Sequence, residues 1–490
     1  MLPDTRKNYR FFMSQKSAIS EIFKAYDVRG VYGKNLTDDI AYKIGRAFVS
    51  FLRCREVIVG YDMRVSSPKL AKAFMEGVND QGADAIDIGM VSTDGLYFAS
   101  GFLNKPGVMF TASHNPKEYN GLKFCREKAV PINEDTGLQK IRTIAERIQL
   151  GKNNIEKNDI MKIYDFQDTK NLRFFRETKK TGKISEKNIL NDYAKHVISF
   201  VHKDKIRKLK IAADAGNGMA GKMVPLVYGK LPIKIIPLYF KLDGTFPNHP
   251  ADPSKYENLK ELQQIVKKEK CDFGMAFDGD ADRVFFVDEN GNIVNSSLIS
   301  ALIIKNVLEK NPKENIIYNL VCSKIVPETI KKYGGKAYIE RVGHSFIKDT
   351  MKKINAIFAC EHSAHYYFRK NFNADSGLIA SAIVAEIVSS KNKKLSSLLK
   401  EFEKYYKIEE TNFEVEDKDK KLQQIKNNYK KMNPKKIMEM DGVSIEFDDY
   451  WFNVRPSNTE PLLRLNLEAV SKEIMEEKMR EVVGVIKSEN

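Results

Sequence analysis

The sequence predicts a multidomain α/β protein, in which three successive α/β units are followed by a small α+β unit. Its 490 residues correspond to three or four domains of about 100–200 residues each. Hydrophobic residues make up 42% and charged residues 30% of the chain, as in ordinary globular proteins. Short apolar runs alternate with amphipathic stretches along the chain, which is typical of strands alternating with helices.

The first unit, residues 1–158, starts with a polar tail of about sixteen residues. Thr37 is the predicted N-cap of a helix whose apolar positions recur every three or four residues. Those positions are Ile40, Ile44, Phe48 and Phe51. Strands are predicted over Val57–Gly60 and Gly107–Phe110, and the second leads into a polar turn, where reactive side chains are well placed.

Residues 151–195 lose this periodicity and are rich in lysine, asparagine and glutamate. We interpret them as a linker followed by an irregular insertion. The boundary of the second unit, residues 159–290, therefore falls inside this segment. Its predicted strands are Leu209–Ala213, Asp272–Phe277 and Val284–Asp288.

The third unit, residues 291–404, again alternates between strands and helices. Its predicted strands are Ile316–Val321, Lys336–Glu340 and Ala356–Cys360, and its predicted helices are Val326–Lys332, His344–Lys353, a helix near Ser376–Val388 and Leu395–Tyr405. The last unit, residues 405–490, is rich in lysine and has strand signals at Gly442–Phe447, Trp451–Val454 and Leu462–Leu467. It is predicted to be a small α+β domain.

Export and membrane insertion are not predicted. The N-terminus lacks a sustained apolar segment, since Phe11, Phe12 and Met13 are followed at once by polar residues. The two most apolar stretches, Ser297–Leu308 and Gly377–Val388, contain a charge and fall short of the roughly 18–20 residues that a span needs. We interpret both as buried helices.

The cysteines indicate a reducing compartment. Five cysteines are scattered without CxxC spacing, which argues against a disulfide framework and against a thiolate zinc site. A cytoplasmic location fits this pattern best.

The net charge, +16, favours anionic partners in general. However, the lysines lie in tracts such as 203–210 and 418–436, among acidic residues and without interleaved aromatic residues. This pattern favours a solvated surface over a nucleic-acid interface.

A first motif, Thr111–Pro116, places Ser113 next to His114 on the turn after a strand, with Lys123 a few residues further on. A serine hydroxyl is a weak nucleophile unless a base or a metal activates it. A simple turn before a proline is the competing interpretation.

A second motif, Asp278–Arg283, carries Asp278, Asp280 and Asp282 between two apolar strands. Alternate carboxylates in an extended loop point to one side, and three hard oxygen ligands suit Mg²⁺. An EF-hand is rejected because Arg283 stands where its loop requires glycine and because the flanks are β-like.

Two further motifs carry polar clusters. Arg455–Pro461 combines a guanidinium with Ser457, Asn458 and Thr459, a set that suits a phosphate, although an ordinary polar hairpin turn is the alternative. In Cys360–His365, the alternating Glu361, Ser363 and His365 would face one way and could hold sugar hydroxyls; zinc binding by Glu361, His362 and His365 is the weaker alternative.

Taken together, these motifs resemble those of the α-D-phosphohexomutases, the phosphomannomutase/phosphoglucomutase family. The resemblance extends in order from Phe23–Gly30 to Arg455–Leu465 and covers nearly the whole chain. It implies three topologically similar α/β domains and a C-terminal α+β domain around one central cleft.

The resemblance also implies roles for individual residues. Ser113 would be the catalytic phosphoserine, with Arg29, Lys123, Arg283 and His344 as the other catalytic residues. One Mg²⁺ per site would be bound by Ser113, Asp278, Asp280 and Asp282. Substrate would be bound by Tyr26, Arg341, Glu361, Ser363, His365, Arg455, Ser457, Asn458 and Thr459.

The activity that this implies is the interconversion of hexose 6-phosphate and hexose 1-phosphate, for mannose and also for glucose. A hexose 1,6-bisphosphate would be both intermediate and activator. Three residues depart from commoner family patterns, which bears on substrate preference: Arg341, His362 and Ala281. The stretch Val342–Val388 is most similar to the mannomutase type. We expect a phosphosugar as partner, no nucleic acid or membrane, and a monomer or weak homodimer. A phosphoglucosamine mutase and a metal-dependent sugar phosphatase are the alternatives.

Overall fold

The computed structural model of the protein describes residues 18–148, 181–457 and 462–488. In these ranges the chain forms four β-sheets in succession, each with its own helices. The predicted tail and much of the predicted linker lie outside the described residues.

The first sheet consists of β1 Val28–Val31, β2 Glu56–Tyr61, β3 Asp84–Met90, β4 Gly107–Phe110, β5 Tyr119–Cys125 and β6 Ile184–Glu186. Its helices are α1 Ala18–Ile22, α2 Asp38–Leu52, α3 Ser67–Asp80, α4 Thr93–Leu103 and α5 Gln139–Arg147. The predicted N-cap is confirmed, because the Thr37 hydroxyl accepts a hydrogen bond from the Ile40 amide at 3.3 Å. Ile44 and Phe48 are fully buried, as the helical spacing predicts.

The second sheet consists of β7 Leu209–Asp214, β8 Ile233–Leu238, β9 Phe273–Phe277, β10 Val284–Val287 and β11 Ile293–Val294, with helices α6 Leu190–Ile198, α7 Ala220–Tyr228 and α8 Lys260–Lys268. The third consists of β12 Asn315–Asn319, β13 Lys336–Glu340, β14 Phe358–Cys360, β15 Tyr366–Phe368 and β16 Ala374–Asp375. Its helices are α9 Ser296–Lys310, α10 Ile325–Lys332, α11 His344–Ile354, α12 Gly377–Lys391 and α13 Leu395–Leu399.

The three sheets share one topology. The second has the order β8-β7-β9-β10-β11 and the third the order β13-β12-β14-β15-β16, each with a parallel centre and an antiparallel edge. The first repeats this pattern as β3-β2-β4-β5, but its edge strand β1 comes from the start of the chain. The expected set of three similar α/β domains is therefore confirmed.

The last sheet is antiparallel throughout, as expected of an α+β domain. It consists of β17 Tyr406–Lys407, β18 Thr411–Glu414, β19 Lys436–Met438, β20 Val443–Glu446, β21 Tyr450–Pro456 and β22 Leu462–Ala469. Helices α14 Lys418–Lys430 and α15 Lys472–Lys487 complete this unit. It has its own buried core, whereas one continuous core extends through the first three units.

Residues 181–195, the described end of the predicted insertion, are more regular than their composition predicts. β6 pairs in parallel with β3, so it extends the first sheet, although the predicted partition assigns these residues to the second unit. Its three side chains are exposed, so no apolar run marks it; the free edge of β3 supplies the hydrogen-bond partners. Helix α6 buries Tyr193, Ala194 and Val197.

The two apolar stretches are buried helices, as predicted, and correspond to α9 and α12. None of the helices in the described part of the chain is both long and apolar enough to cross a membrane.

Candidate active site

Three loops at equivalent positions of the three similar sheets meet at one place. The serine loop, residues 111–118, joins β4 to β5; the aspartate loop, 278–283, joins β9 to β10; and the histidine loop, 361–365, joins β14 to β15. Each contains a non-glycine residue with a left-handed backbone, namely Ser113 (φ 50°), Ala281 (φ 60°) and Ala364 (φ 65°). Such conformations are uncommon outside glycine and cluster at functional sites.

Ser113 is buried at the junction of the serine and aspartate loops. Its hydroxyl donates a hydrogen bond to Asp278 Oδ2 at 2.6 Å and accepts one from Arg283 Nη2 at 3.1 Å. The Arg283 Nε donates to the same Asp278 oxygen at 2.9 Å. The positively charged guanidinium and the negatively charged carboxylate therefore both hydrogen-bond to the serine oxygen and together fix its position.

His114, the neighbour of Ser113, also contacts this cluster. Its Nδ1 lies 3.2 Å from Ser113 Oγ and is in contact with Arg283 Nη2. Burial, together with the charges of Arg283 and Arg29, lowers the pKa of His114 well below its usual value. The lowered pKa favours the neutral imidazole, in which Nδ1 can accept a hydrogen bond from the guanidinium.

The aspartate loop concentrates negative charge in a buried space. Asp278, Asp280 and Asp282 are at most 1% exposed, and one oxygen from each lies within 4.8 Å of the others. Asp280 Oδ1 and Asp282 Oδ1 are buried without a hydrogen-bond partner. Burial raises the pKa of Asp278 to about 7 despite the charge of Arg283. Three hard carboxylate donors, two of them with an unpartnered oxygen, fit a divalent cation.

Lys123, on β5, partly balances this charge. Its Nζ lies 2.8 Å from Asp280 Oδ2 and 2.6 Å from Asp282 Oδ2. Although burial acts in the opposite direction, the two carboxylates raise the pKa of Lys123 well above its usual value. Lys123 is thus a positively charged partner of the aspartate loop. Its position in the sequence, near Ser113, did not by itself predict this pairing.

Arg29, on β1, holds the serine loop from outside. Its Nη1 donates to the Ala112 carbonyl oxygen at 2.7 Å and to the Asn115 side chain, and its Nη2 pairs with Asp27. β1 pairs with β5 so that Arg29 lies opposite Gly121. The edge strand β1 therefore places the positively charged Arg29 side chain against the serine loop.

The histidine loop packs against the aspartate loop. His365 Nε2 lies 3.4 Å from Asp282 Oδ1, and its Nδ1 lies 2.9 Å from Ser363 Oγ. Glu361 accepts hydrogen bonds from Tyr367 at 2.5 Å and from the Gly343 amide at 3.3 Å. The structure therefore brings Glu361, Ser363 and His365 together beside the carboxylates.

His344 and Tyr26 form a contact between the third and first units. Their rings meet edge to face with centroids 5.0 Å apart, and His344 Nε2 is buried without a hydrogen-bond partner. Burial and the charges of Lys348 and Lys123 lower the pKa of His344 well below its usual value. Arg341 stands further out, over the Phe346 ring and 3.3 Å from Asp135 Oδ2.

Arg455, on β21, belongs to a separate polar network in the last unit. Its Nη2 donates to Glu410 at 3.0 Å, and Arg464 Nη1 donates to the other oxygen of Glu410 at 3.1 Å. Burial and the charge of Lys407 lower the pKa of His362 to about 3, with Glu410 opposing this shift and Arg455 adding a smaller contribution to it. Ser457 is buried, and the predicted Asn458 and Thr459 lie outside the described residues.

Several residues of this site were not predicted from the sequence. Thr93 donates from Oγ1 to Asp280 at 2.6 Å, Arg64 binds the serine loop, and Glu410 binds Arg455. Asp375 lies 3.8 Å from His365 and pairs with Lys348. The only signal for any of them was a charged or hydroxyl residue at the end of a strand, as for Asp375, or three positions beyond it. Such residues are common, so this signal is unspecific.

Comparison with protein families assigns all four units. The matching models are described as phosphoglucomutase/phosphomannomutase alpha/beta/alpha domain I over residues 20–152, domain II over 191–291, domain III over 295–406 and the C-terminal domain over 410–485. Together they cover most of the chain in order.

Whole-length relatives agree with these matches. The chain is 38% identical to a phosphomannomutase of Methanocaldococcus jannaschii, over 95% of this chain and 97% of the relative. It is 36% identical to a phosphomannomutase/phosphoglucomutase of Pseudomonas aeruginosa, over 93% of each chain. The crystal structure of a phosphoglucomutase/phosphomannomutase family protein from Burkholderia thailandensis superposes with a TM-score of 0.82 at 29% identity, covering 96% of this chain and 98% of that one.

Proposed function

Because the chain belongs to the phosphoglucomutase/phosphomannomutase family of hexose phosphate mutases, we propose that it interconverts mannose 6-phosphate and mannose 1-phosphate through a phosphoserine at Ser113, and that it also accepts glucose phosphates. The observation that carries this proposal is the Ser113 hydroxyl, which lies between Asp278 at 2.6 Å and Arg283 at 3.1 Å. A nucleophile surrounded by a guanidinium and a cluster of carboxylates is suited to phosphoryl transfer.

The proposed reaction consists of two transfers. In the first, the bond between phosphorus and Ser113 Oγ breaks, while a bond forms between phosphorus and a free hydroxyl of the sugar phosphate, giving a hexose 1,6-bisphosphate. The sugar then reverses its orientation, and Ser113 Oγ takes back the phosphate from the other end. Added hexose 1,6-bisphosphate would activate the enzyme because it phosphorylates unmodified Ser113.

Proton transfer is assigned to His344 and Lys123. The attacking hydroxyl must lose its proton as the new bond forms, and a neutral imidazole accepts it. The lowered pKa of His344 favours its neutral form before the transfer, and its buried Nε2 has no hydrogen-bond partner, so this atom is available to accept the proton. Lys123 remains charged between Asp280 and Asp282. It would therefore donate a proton in the reverse step and balance the negative charge of the two carboxylates.

We propose Mg²⁺ as the cation of the aspartate loop, held by Asp278, Asp280 and Asp282 and by an oxygen of phosphorylated Ser113. When bound, it would neutralise charge on the transferring phosphoryl group. Arg283 would contact the same group from its present position beside Ser113, and Arg29 would hold the serine loop while the transfer occurs.

The remaining proposed residues bind the substrate. Glu361 and Ser363 would accept and donate hydrogen bonds to sugar hydroxyls, and His365 would orient Ser363. Arg455, with Ser457, Asn458 and Thr459, would bind the phosphate that is not being transferred, in either orientation of the sugar. Tyr26 and Arg341 would line the entrance between the first and third units.

One assay distinguishes this proposal from its alternatives. Purified protein is given mannose 1-phosphate, Mg²⁺ and catalytic glucose 1,6-bisphosphate, and mannose 6-phosphate and inorganic phosphate are both measured. The proposal expects stoichiometric mannose 6-phosphate without phosphate release. A sugar phosphatase would release phosphate instead, and a dedicated phosphoglucosamine mutase would give neither product from mannose 1-phosphate.

We also propose that the enzyme is a cytoplasmic monomer or weak homodimer that binds neither nucleic acid nor membrane. Support for the compartment comes from the five cysteines, all free. Light scattering over a range of concentrations tests the oligomeric state.

A further inference from the structure

Arg64 lies in the turn between β2 and α3, at the carboxyl end of the strand next to β4. Its side chain is fully buried, and its Nε pairs with Asp62 Oδ2 at 3.3 Å. The second unit covers it: Arg64 stands 5.1 Å from the centre of the Phe246 ring, and a Cβ on Gly244 would come within 2.5 Å of the Arg64 Cα. Burial of an arginine at this depth requires that its donors be satisfied.

The two terminal nitrogens of Arg64 donate to backbone carbonyls of the serine loop and of Tyr119, the first residue of β5, whereas Nε has the ion pair with Asp62 and no hydrogen bond. Nη2 donates to the carbonyl oxygens of Ser113 at 2.8 Å and Asn115 at 2.7 Å. Nη1 donates to those of Pro116 at 2.8 Å and Tyr119 at 3.0 Å. A single side chain thus binds four carbonyl groups across seven consecutive residues, 113–119.

This arrangement requires the planar fork of arginine. Arginine offers five N–H groups in a fixed plane, whereas lysine offers three on one nitrogen. Four acceptors that converge from different points of a loop cannot all reach a single ammonium nitrogen. The four carbonyl acceptors therefore require the planar geometry of an arginine side chain as well as its positive charge.

The conformation of Ser113 explains why the loop needs such support. Its φ of 50° lies in the left-handed region, which side-chain-bearing residues occupy at a cost unless the surroundings enforce it. In that conformation the carbonyl of Ser113 faces Arg64 while its Oγ faces Asp278 and Arg283.

We propose that Arg64 is the positioning residue of the nucleophile: by binding the four carbonyls it keeps Ser113 in the conformation that directs Oγ into the aspartate loop. This inference rests on the proposed phosphoserine mechanism. In the described contacts the Arg64 guanidinium meets only carbonyl oxygens, Asp62 and the Phe246 ring, so it acts through the loop and touches neither substrate nor phosphate. It differs in this from Arg283, which contacts Ser113 Oγ directly.

A positioning role predicts a specific kinetic signature. Misplacement of a nucleophile by about 1 Å costs on the order of 100-fold in rate. Apart from Tyr26, the substrate contacts proposed above lie on the third and fourth units, and Arg64 bonds to none of them. KM for the sugar phosphate should therefore stay within about twofold. A purely structural residue would lower the melting temperature without changing kcat for the molecules that remain folded.

The test compares Arg64→Lys and Arg64→Ala with a matched control, Arg46→Lys. Arg46 is a buried arginine of the same unit, but its Nε donates to Gln81 at 3.1 Å instead of to the serine loop. For each variant, kcat and KM are measured per folded molecule, with the folded fraction taken from near-ultraviolet circular dichroism. Mass spectrometry follows phosphorylation of Ser113 by glucose 1,6-bisphosphate, and millimolar guanidinium chloride is added to Arg64→Ala as chemical rescue.

We expect kcat and the phosphorylation rate of Ser113 to fall by about 100-fold in both Arg64 variants, with KM nearly unchanged. Guanidinium should restore part of the activity of Arg64→Ala, and Arg46→Lys should have the kcat of the wild type. A kcat per folded molecule within threefold of the wild type, in either Arg64 variant, would overturn the proposal. A wild-type protein without mutase activity would instead contradict the proposed function, so the two failures are distinguishable.

Discussion

The hydroxyl of Ser113 donates a hydrogen bond of 2.6 Å to Asp278, which lies 165 positions further along the chain. The two residues come from loops at the same topological position in different units. Because neither unit contains both groups, the position of the Ser113 hydroxyl, the proposed nucleophile, depends on how the first two units pack.

Ser113→Ala should abolish mutase turnover and leave the fold intact. The substitution removes the Oγ that would carry the phosphate, but alanine adds no atom to the buried site. Intact-mass analysis of active wild-type protein should find one phosphate, on Ser113, and none on the variant. The control Ser199→Ala changes an exposed serine and should remain active; full activity of Ser113→Ala would rule out the assignment.

Chelation of divalent ions should stop catalysis, and Mg²⁺ should restore it. Asp280→Asn keeps the shape of the side chain but removes one of three anionic ligands. Removal of a residue that only hydrogen-bonds to a metal ligand weakens metal binding by roughly tenfold. Because Asp280 is proposed as a ligand itself, the Mg²⁺ concentration for half-maximal activity should rise by more than that. Asp204→Asn, in an exposed position of the same unit, provides the control. Activity that persists in excess chelator would contradict this prediction.

Arg455→Ala should lower kcat/KM for both the 1-phosphate and the 6-phosphate. Loss of one charge-assisted phosphate contact costs about 1.5–3 kcal/mol, or roughly one to two decades. Arg480→Ala, on the exposed face of α15, should have no effect. If only one regioisomer were affected, the two substrates would not share this contact and reorientation would be excluded.

Glu410 should stabilise the last unit above pH 5 and lose this effect in acid. Burial opposes its ionisation, but Arg455 and Arg464 outweigh burial and lower the pKa of Glu410 from 4.5 to about 2. A lowered carboxyl pKa contributes stability that is fully present above the unfolded-state value and is lost as the pH falls through the folded-state value.

The measurement is the difference in melting temperature between wild type and Glu410→Gln. It should be constant between pH 5 and 8 and shrink from about pH 4.5 towards pH 2. Glu414→Gln, an exposed neighbour on β18, should show no comparable change. A pH-independent difference would mean that Glu410 acts through hydrogen bonds alone.

Mannose phosphates should be good substrates, glucose phosphates acceptable ones and N-acetylglucosamine phosphates poor ones. Mannose and glucose differ only at the C2 hydroxyl, and a site that binds the shared hydroxyls rejects a C2 epimer weakly, whereas a C2 acetamido group conflicts sterically. The values of kcat/KM for the three 1-phosphates, at identical Mg²⁺ and bisphosphate, decide the order. A preference for the glucosamine compounds would refute the proposed role of Glu361 and Ser363.

The sequence predicted those elements whose signal is local. Gly107–Phe110 and Lys336–Glu340 have the predicted bounds, because an apolar run or a β-favouring run ends at a turn there. By contrast, β6 is a short exposed strand that exists only because β3 leaves an edge open. Arg64 and Glu410 were missed for a similar reason: their partners are distant in sequence, and nothing local marks an arginine that binds carbonyl groups.

The common position of the three loops has a consequence for how activity responds to mild perturbation. The three similar sheets resemble the subunits of a trimer that share one site where they meet, except that a single chain links them. In such assemblies function is lost on dissociation, before the subunits themselves melt. Loosening the contacts among the three sheets with low denaturant should therefore inactivate this enzyme while its far-ultraviolet circular dichroism is still native.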